Sequence, residues 1–259
     1  RPPAPAPAQL LSVWNVYAMV LAALVASWVG QVRLSRLPFT GLGLPGGARA
    51  GIDLVAGAVV GVGVLGAVVL ALVAFGWLTW ESDGSRGSAV VAAASLAGVL
   101  FGAAFVEELL FRGYPFQVIE RRFGGVAALA TTSLLFAAAH GANPNTGALP
   151  LVNIGLAGVL LGLAYWRTRS LWFATGVHLG WNWIMAVSEL SVSGLDFGMP
   201  GFDPVLSGPD LLTGGAFGPE GGLLVSLASV ATIVWMWRWR PKGESLSPRP
   251  TPVELERNR

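Results

Sequence analysis

The chain has 259 residues, of which 54% are hydrophobic and only 12% are charged, whereas soluble domains carry about 25% charged residues. A soluble fold of this size could not bury so much apolar surface, so the composition excludes an ordinary soluble domain. The net charge is +2 and the chain contains no cysteine. Disulfides, thiolate metal sites and a cysteine nucleophile are therefore excluded.

Seven apolar segments follow one another along the chain, and a helix needs roughly 20 residues to cross the hydrocarbon core of a bilayer. They cover approximately residues 10–30, 54–77, 89–111, 126–142, 149–165, 171–190 and 223–237. This pattern predicts an all-α, polytopic bundle of about seven transmembrane helices within residues 10–240. Residues 1–9 and 241–259 are proline-rich or charged and are predicted to be disordered tails.

Basic residues accumulate after the first, third, fifth and seventh segments, while the opposite side holds few of them and a long acidic stretch, residues 191–222. Lysine and arginine favour cytoplasmic loops. We therefore expect an external amino terminus and a cytoplasmic carboxyl terminus, and no binding to nucleic acid. The alanine, glycine and arginine usage is typical of a GC-rich genome. The expected location is a bacterial plasma membrane. Glycines between Gly57 and Gly66 are interpreted as close helix packing in lipid.

Ionisable side chains inside membrane spans are functional candidates, because their burial in lipid is costly. Within or near the apolar segments lie Glu107, Glu108, Arg112, His140 and His178. Both histidines of the chain are in this group. Asp53 and Glu189 lie close to segment ends and are interpreted as interfacial charges.

Helical rise brings several of these groups towards one level. The third and fourth segments are predicted to form a hairpin that turns near residues 122–124, so Glu107 and His140 should both lie roughly 22–24 Å above the turn. His178 is expected about 13 Å up its own helix, with an error of a turn or more. Asn182 follows His178 at i,i+4, so both can point into a common cavity.

Glu108 and Arg112 are also spaced i,i+4, and we expect an ion pair whose role is as readily structural as functional. Glu107 is rotated by about 100° from Glu108 and is available to a different partner. A carboxylate such as Glu107 beside the imidazole of His140 has the elements of a general base that deprotonates water.

An oxyanion formed by that water's attack could be stabilised by His178 and the amide of Asn182. Glu107, His140 and His178 are also a sufficient ligand set for catalytic zinc. They come from three segments rather than one HExxH motif, so the sequence does not specify zinc, and the favoured interpretation requires no cofactor.

Three motifs occur in order: EExxxR at 107–112, FxxxH at 136–140 and HxxxN at 178–182. Together they resemble the CAAX protease and bacteriocin-processing family (CPBP, also called Abi), which includes the type II CAAX prenyl endopeptidases. The resemblance covers about residues 88–190. It implies an intramembrane peptidase in which Glu107 and His140 activate water, His178 and Asn182 stabilise the oxyanion, and Glu108 and Arg112 shape the site. The family is often labelled metalloprotease, but a metal-free, glutamate-dependent mechanism is argued for its prenyl protease branch.

The favoured function is therefore an intramembrane endopeptidase that acts on a peptide or membrane-protein substrate. A non-catalytic immunity or scaffold protein could use the same cavity. A proton-coupled transporter would also bury glutamate and histidine, but paired repeats of broken helices, which would favour transport, are not found in the sequence. Trp181 and Trp183 flank Asn182 and either line the cavity or pack against neighbouring helices.

Overall fold

The structure is a computed structural model that describes residues 13–84 and 88–239. The predicted tails, residues 1–9 and 241–259, lie entirely outside the described residues. The helices of the described part are α1 (Val13–Trp28), α2 (Ala48–Ala74), α3 (Ala89–Glu108), α4 (Tyr114–Phe123), α5 (Gly125–Ala139), α6 (Ala148–Thr168), α7 (Leu171–Val187), α8 (Asp210–Thr213) and α9 (Leu223–Arg238). Each predicted apolar segment corresponds to a helix, and the third continues beyond its predicted end through α4 to Phe123. The predicted helical bundle is confirmed.

Four helical stretches are long and apolar enough to cross a membrane, judged by length and composition. They are Val13–Leu34, Ala48–Ala74, Ala89–Phe123 and Ala148–Thr168. Helices α5, α7 and α9 have 15, 17 and 16 residues. A seven-span topology needs these three shorter helices to cross as well, so the number of spans and their orientation stay predictions.

The helical stretch Ala89–Phe123, which contains the third apolar segment, is not one regular helix. Its backbone passes from α3 into a π-helical turn, Leu109–Gly113, and then into α4. Pro115, in the first turn of α4, has no N–H to bond the carbonyl of Phe111 in a regular helix. The wider turn lies directly after Glu107 and Glu108, and π-helical turns inside α-helices are frequent at functional sites.

The turn after α4 lies where the sequence predicts it. Gly124 has a φ of +86°, which strains any residue with a Cβ, and α5 begins at the next residue. A Cβ on Gly125 would lie 2.2 Å from the ring of Trp166 on α6. The hairpin of α4 and α5 therefore packs directly against α6.

Helices α2 and α7 cross with their backbones in contact. A Cβ added to Gly57, Gly61, Gly176 or Gly180 would lie 2.1–2.2 Å from a carbonyl oxygen of the other helix. Small residues four apart permit this approach in membrane helices. The packing interpretation is thus confirmed for two of the four glycines between Gly57 and Gly66, whereas the other two face open space. The crossing positions α7, which carries His178.

The acidic stretch after α7 contains secondary structure that the sequence did not predict. Strand β2 (Asp203–Leu206) pairs antiparallel with β1 (Leu78–Glu81), and Leu78 lies opposite Leu206. The short strands are rich in polar residues and one contains Pro204, so neither has an extended apolar pattern. The two-stranded sheet joins the α7–α9 segment, residues 188–222, to the connection that follows α2.

We predict that Gly57→Ala lowers the melting temperature of the purified protein, because the new methyl group forces apart two backbones in contact. Overpacking of this kind costs about 1–3 kcal/mol. Gly63→Ala is the matched control, since it lies on the same helix with no atom within 4 Å of the added Cβ. Equal melting temperatures for the two variants in the same detergent would contradict the predicted contact.

Candidate active site

Glu107, at the end of α3, faces both histidines. Its Oε2 lies 4.0 Å from Nε2 of His140 and 3.7 Å from Nε2 of His178. The side chain is 32% exposed, but Oε2 itself is buried and forms no hydrogen bond within the described part of the chain. The structure therefore brings together three side chains from α3, α5 and α7. Glu107 and His140 lie at one level, as helical rise predicts, whereas His178 joins them although it was expected lower, about 13 Å up its own helix.

The FxxxH motif determines which ring nitrogen of His140 carries the hydrogen in the neutral imidazole. Nδ1 of His140 lies 2.8 Å from the carbonyl oxygen of Phe136, one helical turn earlier. A carbonyl oxygen only accepts hydrogen bonds, so Nδ1 carries the hydrogen. In the neutral ring Nε2 is then unprotonated. Its lone pair lies on the side of Glu107.

His178 is held by the second glutamate of the EExxxR motif. Its Nδ1 lies 2.9 Å from Oε1 of Glu108, and the same oxygen accepts a hydrogen bond of 3.1 Å from Nη1 of Arg112. Glu107 was expected to be available to a partner other than Arg112, because it is rotated by about 100° from Glu108, and it does face His140. The sequence did not predict that Glu107 and Glu108 also lie beside the two nitrogens of one imidazole, that of His178.

The Glu108–Arg112 pair is fully buried, as each side chain is 0% exposed. Nη2 of Arg112 donates a hydrogen bond of 2.9 Å to the carbonyl oxygen of Gly158 on α6. The guanidinium also lies 4.5 Å from the centre of the Phe136 ring on α5. The predicted ion pair is present, and it connects α3 to the helices on either side of the site.

A cavity of about 20 Å³ opens beside the two imidazoles, which is room for about one water-sized molecule. Its polar lining residues are His140, His178, Asn182, Ser193 and Glu220. The rest of its lining is apolar or aromatic. His178 and Asn182 share this cavity one turn apart on α7, as their spacing predicts.

The two tryptophans beside Asn182 differ in position. Trp181 lines the cavity, and its indole N–H donates a hydrogen bond of 2.6 Å to Oε1 of Glu220. Trp183 instead donates to the carbonyl oxygen of Ala93 on α3 at 3.2 Å and lines a separate apolar groove. Of the two alternatives, cavity lining applies to Trp181 and helix packing to Trp183.

Glu220 is the one cavity carboxylate in the described residues that the sequence did not identify. It lies in the short helical turn Pro219–Gly221, is 6% exposed, and accepts hydrogen bonds from Trp181 and from the backbone N–H of Ser193. Burial raises the pKa of its carboxyl above the usual value, although the hydrogen bond from Ser193 acts in the opposite direction. Its sequence context, a glycine-rich acidic stretch, is typical of a solvated loop.

Asp53 and Glu189 do not line the cavity. Asp53 lies in the second turn of α2, 3.6 Å from the guanidinium of Arg49. Glu189 accepts a hydrogen bond from the backbone N–H of Met199 within the α7–α9 segment. Both were interpreted from the sequence as interfacial charges outside the site.

The side chains as they stand do not fit the zinc set considered from the sequence. Among the described residues, no three histidine or carboxylate side chains are arranged to hold a metal ion. The gaps of 3.7 and 4.0 Å from Glu107 to the imidazoles exceed the edge of about 3.3 Å in a tetrahedron with zinc bonds of about 2.0–2.1 Å. The ligand atoms would have to move closer to bind zinc.

Residues 89–184 match the model of a family described as type II CAAX prenyl endopeptidase Rce1-like. The matched segment runs from the start of α3 into α7 and contains the three motifs identified in the sequence. It agrees with the resemblance that those motifs carry. Comparison with curated proteins gives no match, and neither does comparison with solved structures.

We predict that Arg112→Met destabilises the protein by about 3–5 kcal/mol, because it leaves the carboxylate of Glu108 buried without its charged partner. Arg49→Met is the matched control. It removes the same residue type from another i,i+4 pair with acidic Asp53, in which the arginine side chain is 60% exposed. That change should cost at most about 1 kcal/mol. Similar losses in thermal or denaturant unfolding would show that the buried pair contributes no more than a surface pair.

Proposed function

We propose that this chain, a member of the CPBP family of intramembrane proteases, is an endopeptidase. Its nucleophile is a water molecule that Glu107 and His140 activate. One observation carries the proposal: Oε2 of Glu107 meets Nε2 of both imidazoles across 3.7 and 4.0 Å. Gaps of this size are too long for a direct hydrogen bond and suit a bridging water.

The activation step uses the lone pairs on the two sides of that gap. Glu107 accepts one proton of the water, and Nε2 of His140 accepts a hydrogen bond from the other O–H, which orients the oxygen. The resulting hydroxide attacks the carbonyl carbon of the scissile peptide bond. The proton held by Glu107 then passes to the leaving nitrogen as the C–N bond breaks, which regenerates the carboxylate.

The oxyanion of the tetrahedral intermediate is stabilised by donors from α7. The amide of Asn182 donates in its ordinary state. Nδ1–H of His178 is occupied by Glu108, so Nε2 donates only when the imidazole is positively charged. In this proposal Glu108 acts on the reaction through His178, and Arg112 holds Glu108 in place.

The substrate proposed is a peptide segment in or beside the bilayer, and the location proposed is a bacterial plasma membrane. The site lies among apolar helices, and its cavity is lined by aromatic and aliphatic side chains. No cofactor has a step in this mechanism.

Glu107→Gln is predicted to lower peptide cleavage by about 10²–10⁴-fold, the usual contribution of a general base. The amide keeps the shape of the side chain but cannot accept the proton. Cleavage is measured with purified protein in lipid vesicles, using a farnesylated CAAX peptide and a mixture of unmodified peptides, with products identified by mass spectrometry.

Glu81→Gln is the control for this change, because Glu81 is exposed on β1 and is not among the residues that line the cavity. Glu81→Gln should cleave as the wild type does. Equal activity of Glu107→Gln and wild type, with both proteins folded, would contradict the assigned base. A cellular effect that survives Glu107→Gln would instead favour the immunity or scaffold alternative.

Cleavage is also expected to survive removal of metal ions, because the proposed steps use only protein groups and water. The purified protein is incubated with EDTA and 1,10-phenanthroline, dialysed, and assayed beside a sample to which zinc is returned. Metal content is measured in the same samples. Loss of activity that tracks loss of bound zinc and returns with it would replace this mechanism by a metal-dependent one.

A further inference from the structure

The α7–α9 segment forms one wall of the cavity. Ser193 and Glu220 both belong to this segment, and both line the cavity with His140 and His178. These two positions are 27 residues apart in the sequence, and β2 and α8 lie between them. Access to the proposed water site on this side therefore depends on how the segment is held.

The side-chain amides of two asparagines outside the α7–α9 segment form hydrogen bonds with its backbone. Asn143, in the connection between α5 and α6, donates a hydrogen bond of 2.9 Å to the carbonyl oxygen of Ser193. Asn153 of α6 donates to the carbonyl oxygen of Glu220 at 2.7 Å. These two bonds hold the backbone at Ser193 and Glu220, the two residues of the segment that line the cavity. Neither of them connects the segment to α7, which carries the proposed oxyanion donors.

The carboxylate of Glu220 supplies that connection. Oε1 accepts from the indole of Trp181 on α7, and Oε2 accepts from the backbone N–H of Ser193. The indole N–H of Trp181 and the backbone N–H of Ser193 both donate to this one side chain, so each of them needs its own acceptor oxygen. Glutamate has two such oxygens, whereas glutamine has one oxygen and an NH₂ group that would face the second donor. This requirement explains a carboxylate at a position that is only 6% exposed.

We propose that Glu220 is a positioning residue that holds the α7–α9 segment closed over the cavity and fixes Trp181 beside Asn182. Both carboxylate oxygens already accept hydrogen bonds from the protein, so its part is to orient Trp181 and Ser193 rather than to exchange a proton. Its effect on peptide cleavage rests on the proposed function. Its effect on closure of the cavity does not, and can be measured without a substrate.

The absence of cysteine makes closure directly measurable, because a single introduced thiol is the only one in the chain. Ser193→Cys places a thiol on the cavity wall and keeps the backbone N–H that bonds Glu220. The rate of labelling by a water-soluble sulfonated maleimide is measured on the full chain in detergent micelles. Adding Glu220→Gln is expected to raise this rate roughly tenfold or more, the shift that loss of one hydrogen bond to a charged group produces.

Two further variants make the test specific. Glu189→Gln is the matched control, since Glu189 also accepts a backbone N–H within the α7–α9 segment but does not line the cavity; labelling should not change. Trp181→Phe removes one of the two donors, so the single oxygen of glutamine can serve Ser193. The Trp181→Phe/Glu220→Gln protein should therefore label more slowly than Glu220→Gln alone.

Equal labelling of Ser193→Cys with and without Glu220→Gln, in monodisperse protein, would overturn the proposal whether or not the chain cleaves peptides. If Glu220→Gln does not fold, Trp181→Phe takes its place and is expected to speed labelling; an unchanged rate then overturns the proposal. Faster labelling that Glu189→Gln does not reproduce supports it. An inactive wild-type protein would count against the proposed endopeptidase and leave this measurement intact.

Discussion

The buried ion pair of Glu108 and Arg112 is the constraint on which the site depends. Neither charge has access to water, so each needs partners within the protein. The carboxylate bonds His178 of α7, and the guanidinium bonds the Gly158 carbonyl of α6 and lies over the Phe136 ring of α5. Satisfying one pair of charges thus fixes the relative positions of four helices. The orientation of His178 follows from the same contacts.

Adjacent glutamates have different environments because the helix turns between them. Glu108 points into the bundle and is 0% exposed, while Glu107 is 32% exposed and faces the imidazoles of His140 and His178. Glu108 is suited to hold an imidazole, and Glu107 is suited to contact water. The π-helical turn that follows them widens the backbone where Arg112 has to reach both Glu108 and α6. Arg112, the basic member of the pair, therefore lies within the irregular turn.

Hydropathy was sufficient to find the helices, and helical rise was sufficient to expect Glu107 near His140. Both depend on spacing along the chain. The contact of Glu108 with His178 was not predictable in this way, because it depends on how α3 and α7 rotate against each other. Glu220 and the β1–β2 sheet were missed for a related reason. Their roles come from contacts between segments far apart in the chain, and a glycine-rich acidic stretch has no periodic pattern.

The glycine contacts of α2 and α7 set a lower limit on the fragment that could keep the arrangement of the site. The family match begins at residue 89, so α2 lies entirely outside it. Yet the backbones of α7 and α2 are in contact, and His178 lies between Gly176 and Gly180, the two glycines of α7 that contact α2. A protein engineer who transplants the matched segment alone would leave behind the surface against which this histidine is aligned.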